Sequence, residues 1–118
     1  MALVSEARLG SLVLGSADPK RLAAWYQAAF APEAEAGRAL ALGQGELIFE
    51  QRDDVASQAA EPGRIIINIQ VDEFPVLVAH LETLDLDWVR PAGPFAAGMI
   101  ATVKDADGNF VNVFELSA

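Results

Sequence analysis

Hydrophobic positions along this chain switch between two periods, and they do so in the same order twice. In the first half, Arg8-Leu9-Gly10-Ser11-Leu12-Val13-Leu14 reads as a strand. Asp18-Pro19 then supplies a helix start, with Asp18 as N-cap and Pro19 at the first helical position. Leu22, Trp25, Tyr26 and Phe30 follow at helical spacing, which gives that helix one apolar face. Ala39–Leu42 and Glu46–Glu50 read as two strands about a Gly43-Gln44-Gly45 hairpin turn. The second half restarts with an isoleucine-rich strand, Arg64–Val71. Asp72-Glu73-Phe74-Pro75 then opens a helix carrying Leu77, Leu81 and Leu84. Asp87–Arg90, Met99–Val103 and Phe110–Leu116 are the closing strands, and Asp53–Gly63 is a polar connector. Pro91–Gly98 reads as a loop whose glycines permit movement, with Phe95 as a lid over a neighbouring site.

A strand–helix–strands unit that occurs twice is an internal repeat. Each helix covers one face of its own strands and leaves the other in need of a partner, so the two units are expected to pair across a shared cavity. The expectation is a single α+β domain over 1–118 with a curved mixed sheet: module one about 8–52, connector 53–63, module two about 64–118.

Composition narrows the function. The 118 residues suit one domain, and 53% hydrophobic content is enough for a packed core. Seventeen acids against eight bases give a net charge of -9, which opposes nucleic-acid binding. The absence of cysteine removes disulfides, thiolate metal sites and cysteine nucleophiles. Met1–Arg8 has no leader-like pattern, and no apolar run is long enough to span a bilayer, so a cytoplasmic protein with no membrane partner is expected.

Asp105-Ala106-Asp107-Gly108-Asn109, followed by Phe110-Val111-Asn112-Val113, resembles the D-P-D-G-N/H-x-I-E-L signature that closes vicinal-oxygen-chelate proteins, the superfamily of glyoxalase I, bleomycin-resistance proteins and extradiol dioxygenases. Leu14-Gly15-Ser16-Ala17-Asp18 with Ala24-Trp25-Tyr26 is similar to the opening strand and helix of that family. Ile67-Asn68-Ile69-Gln70-Val71-Asp72 is similar to the start of its second module. The resemblance implies two paired βαβββ modules. It also implies four metal positions, which fall here on Ser11, Ile48, Ile66 and Asn112, with Phe49 in place of Ile48, or Gly10 or Leu12 in place of Ser11, if those strands slip by one residue. Divalent transition metals want imidazole or carboxylate donors, and this set has neither, so no metal and no cofactor are expected. His80, the only histidine, lies mid-helix between Leu77 and Leu81 and reads as an ordinary helix residue.

Alternation along the strands extends these four positions into an inward-facing set. Val13 joins Ser11, Asn68 and Gln70 join Ile66, Glu46 and Glu50 join Ile48, and Phe110 and Phe114 join Asn112. Apolar walls with a few amides and carboxylates are the make-up of a small-molecule pocket. Trp88 and Phe95 are placed at its mouth. The expected ligand-binding set is therefore Ser11, Val13, Ile48, Glu50, Ile66, Asn68, Gln70, Trp88, Phe95, Phe110, Asn112 and Phe114, with no catalytic residue. The resemblance implies a homodimer that sequesters a small hydrophobic or aromatic ligand, in the manner of resistance proteins that capture antibiotics. The alternatives are a metal-free glyoxalase-like enzyme using Glu46, Glu50 or Glu115, and a structural or regulatory module without a ligand.

Overall fold

The computed structural model describes residues 7–35 and 37–117, so the leader reading of residues 1–6 lies outside it. The elements run β1 (Leu12–Ser16), α1 (Pro19–Phe30), β2 (Ala39–Leu42), β3 (Gly45–Gln51), β4 (Ile67–Gln70), α2 (Phe74–Glu82), β5 (Asp87–Phe95), β6 (Gly98–Lys104) and β7 (Phe110–Leu116). They form two mixed sheets, β1-β3-β2 and β4-β7-β6-β5. In each unit the opening strand pairs in parallel with a later one, β1 with β3 and β4 with β7. This is the α+β repeat expected, with three strands in the first unit where the family resemblance implies four.

Local chemistry sets the boundaries. Asp18 caps α1 by accepting from the Arg21 N–H at 3.2 Å, with Pro19 in the first turn. The helix α2 stops at Glu82 because Thr83 donates from both its backbone N–H (3.0 Å) and its hydroxyl (2.6 Å) to the His80 carbonyl. Leu84 therefore lies outside the helix, yet it still packs beside the second core cluster. The strand expected over Arg64–Val71 shrinks to Ile67–Gln70. Its partner β7 begins only at Phe110, and the Phe110 N–H is already donated to the Pro62 carbonyl at 3.1 Å.

The segment expected to be a loop, Pro91–Gly98, is instead a hairpin: β5 runs to Phe95 and β6 restarts at Gly98. Prolines fit in β5 because it is an edge strand with register shifts between Trp88 and Gly93, where ladder hydrogen bonds are already interrupted. Gly98 lets the returning strand pass close to its neighbour. A Cβ there would stand 1.9 Å from the Glu115 carbonyl oxygen.

Both helices lie on one side of the sheets. Leu22, Tyr26, Leu40, Leu47, Phe49, Val103 and Val111 form one buried cluster that draws on both units. Ala29, Phe74, Leu81, Ala101 and Val113 form a second. The Asp105–Asn109 turn fastens the second unit to α1. Asp105 accepts from the Tyr26 hydroxyl at 2.7 Å and from the backbone N–H groups of Asp107 and Asn109 at 2.9 and 3.0 Å. Arg21 adds an ion pair to Asp107 at 3.2 Å. Gly108, at φ 83°, supplies the left-handed residue that closes the turn.

Candidate functional site

On the side of the second sheet opposite the helices, one row crosses all four strands. Asn68 on β4 faces Asn112 on β7, Asn112 faces Thr102 on β6, and Thr102 faces Arg90 on β5. Paired residues on neighbouring strands share a face, so the four side chains form a polar line. Thr102 Oγ1 donates to Asn112 Oδ1 at 2.6 Å, and Asn112 Nδ2 donates to Asn68 Oδ1 at 2.8 Å. Phe114 and Phe110 flank the row on β7, each half-buried, with Gln70 opposite Phe114 on β4. Phe95, at the hairpin tip, is 41% exposed and lies under the Arg90 guanidinium, whose carbon is 5.6 Å from its ring centroid.

Asn68, Gln70, Phe110, Asn112 and Phe114 thus share one sheet face. On the first sheet Val13 faces Ile48 across β1 and β3, and Val13 is 51% exposed. Ser11 and Ile66 each sit one residue before their strands begin. Together with Asn68 they line a cavity of about 380 Å³ at the seam between the units, closed by Leu42, Glu46 and Leu47 of the β2–β3 hairpin. Glu50 is bound to Arg52 at 3.2 Å. It borders a separate cavity of about 560 Å³ between the start of α1 and the end of β3, well away from the amide row.

Trp88 is a correction. It pairs with Val103 and packs against both buried clusters, on the helix-covered face rather than at the mouth of the site. Register shifts in β5 return Arg90, not Trp88, to the open face. Phe95 reaches that face as the end of a strand, not as part of a mobile loop. Two members of the row, Thr102 and Arg90, were not anticipated. Thr102 was legible, because it lies in the expected Met99–Val103 strand. Arg90 was not, since its facing depends on a bulge that the sequence does not mark.

The family's metal does not fit this chain. Ile48 and Ile66 offer no donor atom, Ser11 offers a neutral hydroxyl, and the Asn112 amide is engaged on both sides by Thr102 and Asn68. Two of the three carboxylates considered as acid–base groups have structural work, while Glu46 lines the seam cavity. Glu115 accepts from the Phe74 N–H at 2.7 Å at the start of α2, and Glu50 is held by Arg52. Among the described residues, no helix is long and apolar enough to cross a membrane.

No protein-family model matches the chain, and no curated protein matches it. Solved structures do. TioX from Micromonospora sp. ML1 is similar at TM-score 0.70 and 16% identity, covering 93% of this chain and 99% of that one. An integron cassette protein from the mobile metagenome of V. cholerae matches at TM-score 0.70 and 23% identity, covering 98% and 100%. A glyoxalase-related enzyme from Fulvimarina pelagi matches at TM-score 0.71 and 19% identity, covering 92% and 87%. The chain has the vicinal-oxygen-chelate fold of the glyoxalase and bleomycin-resistance proteins. Identities this low speak for the fold alone, and one such fold carries many functions.

Proposed function

We propose that this protein is a metal-independent small-molecule binder that holds a hydrophobic or aromatic ligand against the open face of the second sheet. On this reading it sequesters an antibiotic or a hydrophobic metabolite, and two copies of the chain close over the ligand. The observation that carries the reading is the Asn68–Asn112–Thr102 row, hydrogen-bonded across three strands and set between Phe110 and Phe114. A sheet face that merely meets solvent is usually charged and polar. This one instead combines aromatic rings for contact area with fixed amides for orientation, as a binding surface does.

The test is a thermal-shift screen of the full chain against antibiotics and aromatic metabolites. A ligand at 100 times its Kd raises stability by about 2.7 kcal/mol through mass action. At least one aromatic compound is expected to raise Tm, and by the same amount with or without a chelator. A shift abolished by chelation, or none across a broad library, counts against the reading.

A further inference from the structure

Arg90 holds its charge outside every ion pair among the described residues, on the sheet face that carries the amide row. The chain carries 17 acids against eight bases. Among the described residues the ion pairs join Arg21 to Asp107, Arg52 to Glu50 and Asp54, and Arg64 to Glu61. Arg90 is in none of them and rests over Phe95. The strands around it explain why. On its face β4 presents Asn68 and Gln70, β7 presents Phe110, Asn112 and Phe114, and β6 presents Ile100, Thr102 and Lys104. Glu115, the one acid on β7, turns away to meet Phe74. Asp87 lies at the far end of β5, opposite Lys104. A protein with a strongly negative net charge thus sets amides, aromatic rings and a hydroxyl next to this guanidinium, and the carboxylate that shares the face, Asp87, stands at its far end beside Lys104.

We propose that Arg90 is the anion-recognising residue of this face and that the ligand is a planar aromatic acid. This rests on the binding reading above and gives it a substrate class. The ring would lie along Phe114 and Phe110, and the carboxylate would meet the guanidinium in the two-pronged geometry that arginine and carboxylates share. The amide row supports the same polarity. Its oxygens on Asn68 and Asn112 are engaged within the row, which leaves N–H groups to meet ligand oxygens. Two strand spacings, roughly 10 Å, separate the Arg90 strand from that of Asn112, a span suited to a two-ring aromatic acid.

The experiment is calorimetry on the full chain with three matched probes: naphthalene carboxylate, naphthyl methanol and naphthyl methylammonium. The carboxylate is expected to bind at least about tenfold tighter than either congener, the difference a charge-assisted hydrogen bond supplies. Arg90→Gln should remove that preference, bringing the carboxylate's affinity down to that of the alcohol, whereas Lys104→Gln should leave the preference in place. Arg90 is exposed, so folding of the variant is checked by its Tm. Should the variant not fold, Asn112→Asp serves instead: a new carboxylate in the row is expected to weaken the acid and favour the ammonium. Equal binding of all three probes, or a preference that survives Arg90→Gln in folded protein, overturns the anion assignment while the site itself stands. If none of the three binds at millimolar concentration, the aromatic-acid assignment falls, and the binding reading is decided separately by the library screen.

Discussion

Tyr26 is the only tyrosine in the chain and is fully buried, with its hydroxyl donated to Asp105 at 2.7 Å. This contact joins the helix of one unit to the turn of the other, so the aspartate-glycine-asparagine motif acts here as a clasp. Burial first, and the negative charge of Asp105 second, push the phenol well above its ordinary pKa. The unfolded chain releases this proton at about pH 10, while the folded chain keeps it. Above that pH the unfolded state binds fewer protons, so stability falls as pH rises. Tyr26→Phe is expected to cost about 1.5–3 kcal/mol at neutral pH, the value of a hydrogen bond to a charged group, and to flatten the alkaline decline. Urea unfolding at neutral and alkaline pH measures both effects. The tyrosinate absorbance should appear only with unfolding, and a phenol that titrates normally in the folded protein would contradict the clasp.

At the scale of elements, the repeat was legible because each helix announces itself: Asp18-Pro19 and Glu73-Phe74-Pro75 start the two helices where the sequence places them. Strand ends were less legible, since they depend on partners. Ile65 and Ile66 have strand chemistry but no ladder to join, and Pro91–Phe95 has loop chemistry yet pairs along a sheet edge. The open face of β7 was readable by alternation alone, as Phe110, Asn112 and Phe114. Its extension to Thr102 and Arg90 needed the register of three strands. Phe114 is half-exposed on that face, so Phe114→Ala should cost less than the about 3–5 kcal/mol of a buried Phe→Ala cavity. It should also lose about 0.5–1.5 kcal/mol of stacking with any aromatic ligand found in the screen. Unfolding free energy and ligand affinity on this one variant separate the cases. A large stability loss with unchanged affinity would make the ring part of the core instead.

Across the whole molecule, exposed apolar side chains lie on the side away from the helices: Val13 is 51% exposed, Ile66 40% and Phe95 41%. Single exposed hydrophobes are ordinary and a contiguous apolar patch marks a contact surface; these three, spread over both units, are the residues through which we propose that two copies pack. A second copy related by a two-fold axis would supply the same surface in return. It would also roof Asn68, the exposed end of the amide row. Light scattering is therefore expected to give twice the 12.5 kDa chain mass. Val13→Glu and Ile66→Glu should shift the protein toward monomer without unfolding it, because neither side chain is buried in the single chain. The same variants should weaken ligand binding, since each ligand would lose its roof. A monomer at high concentration, or variants that stay dimeric with full affinity, would place the interface elsewhere and leave the ligand on an open sheet.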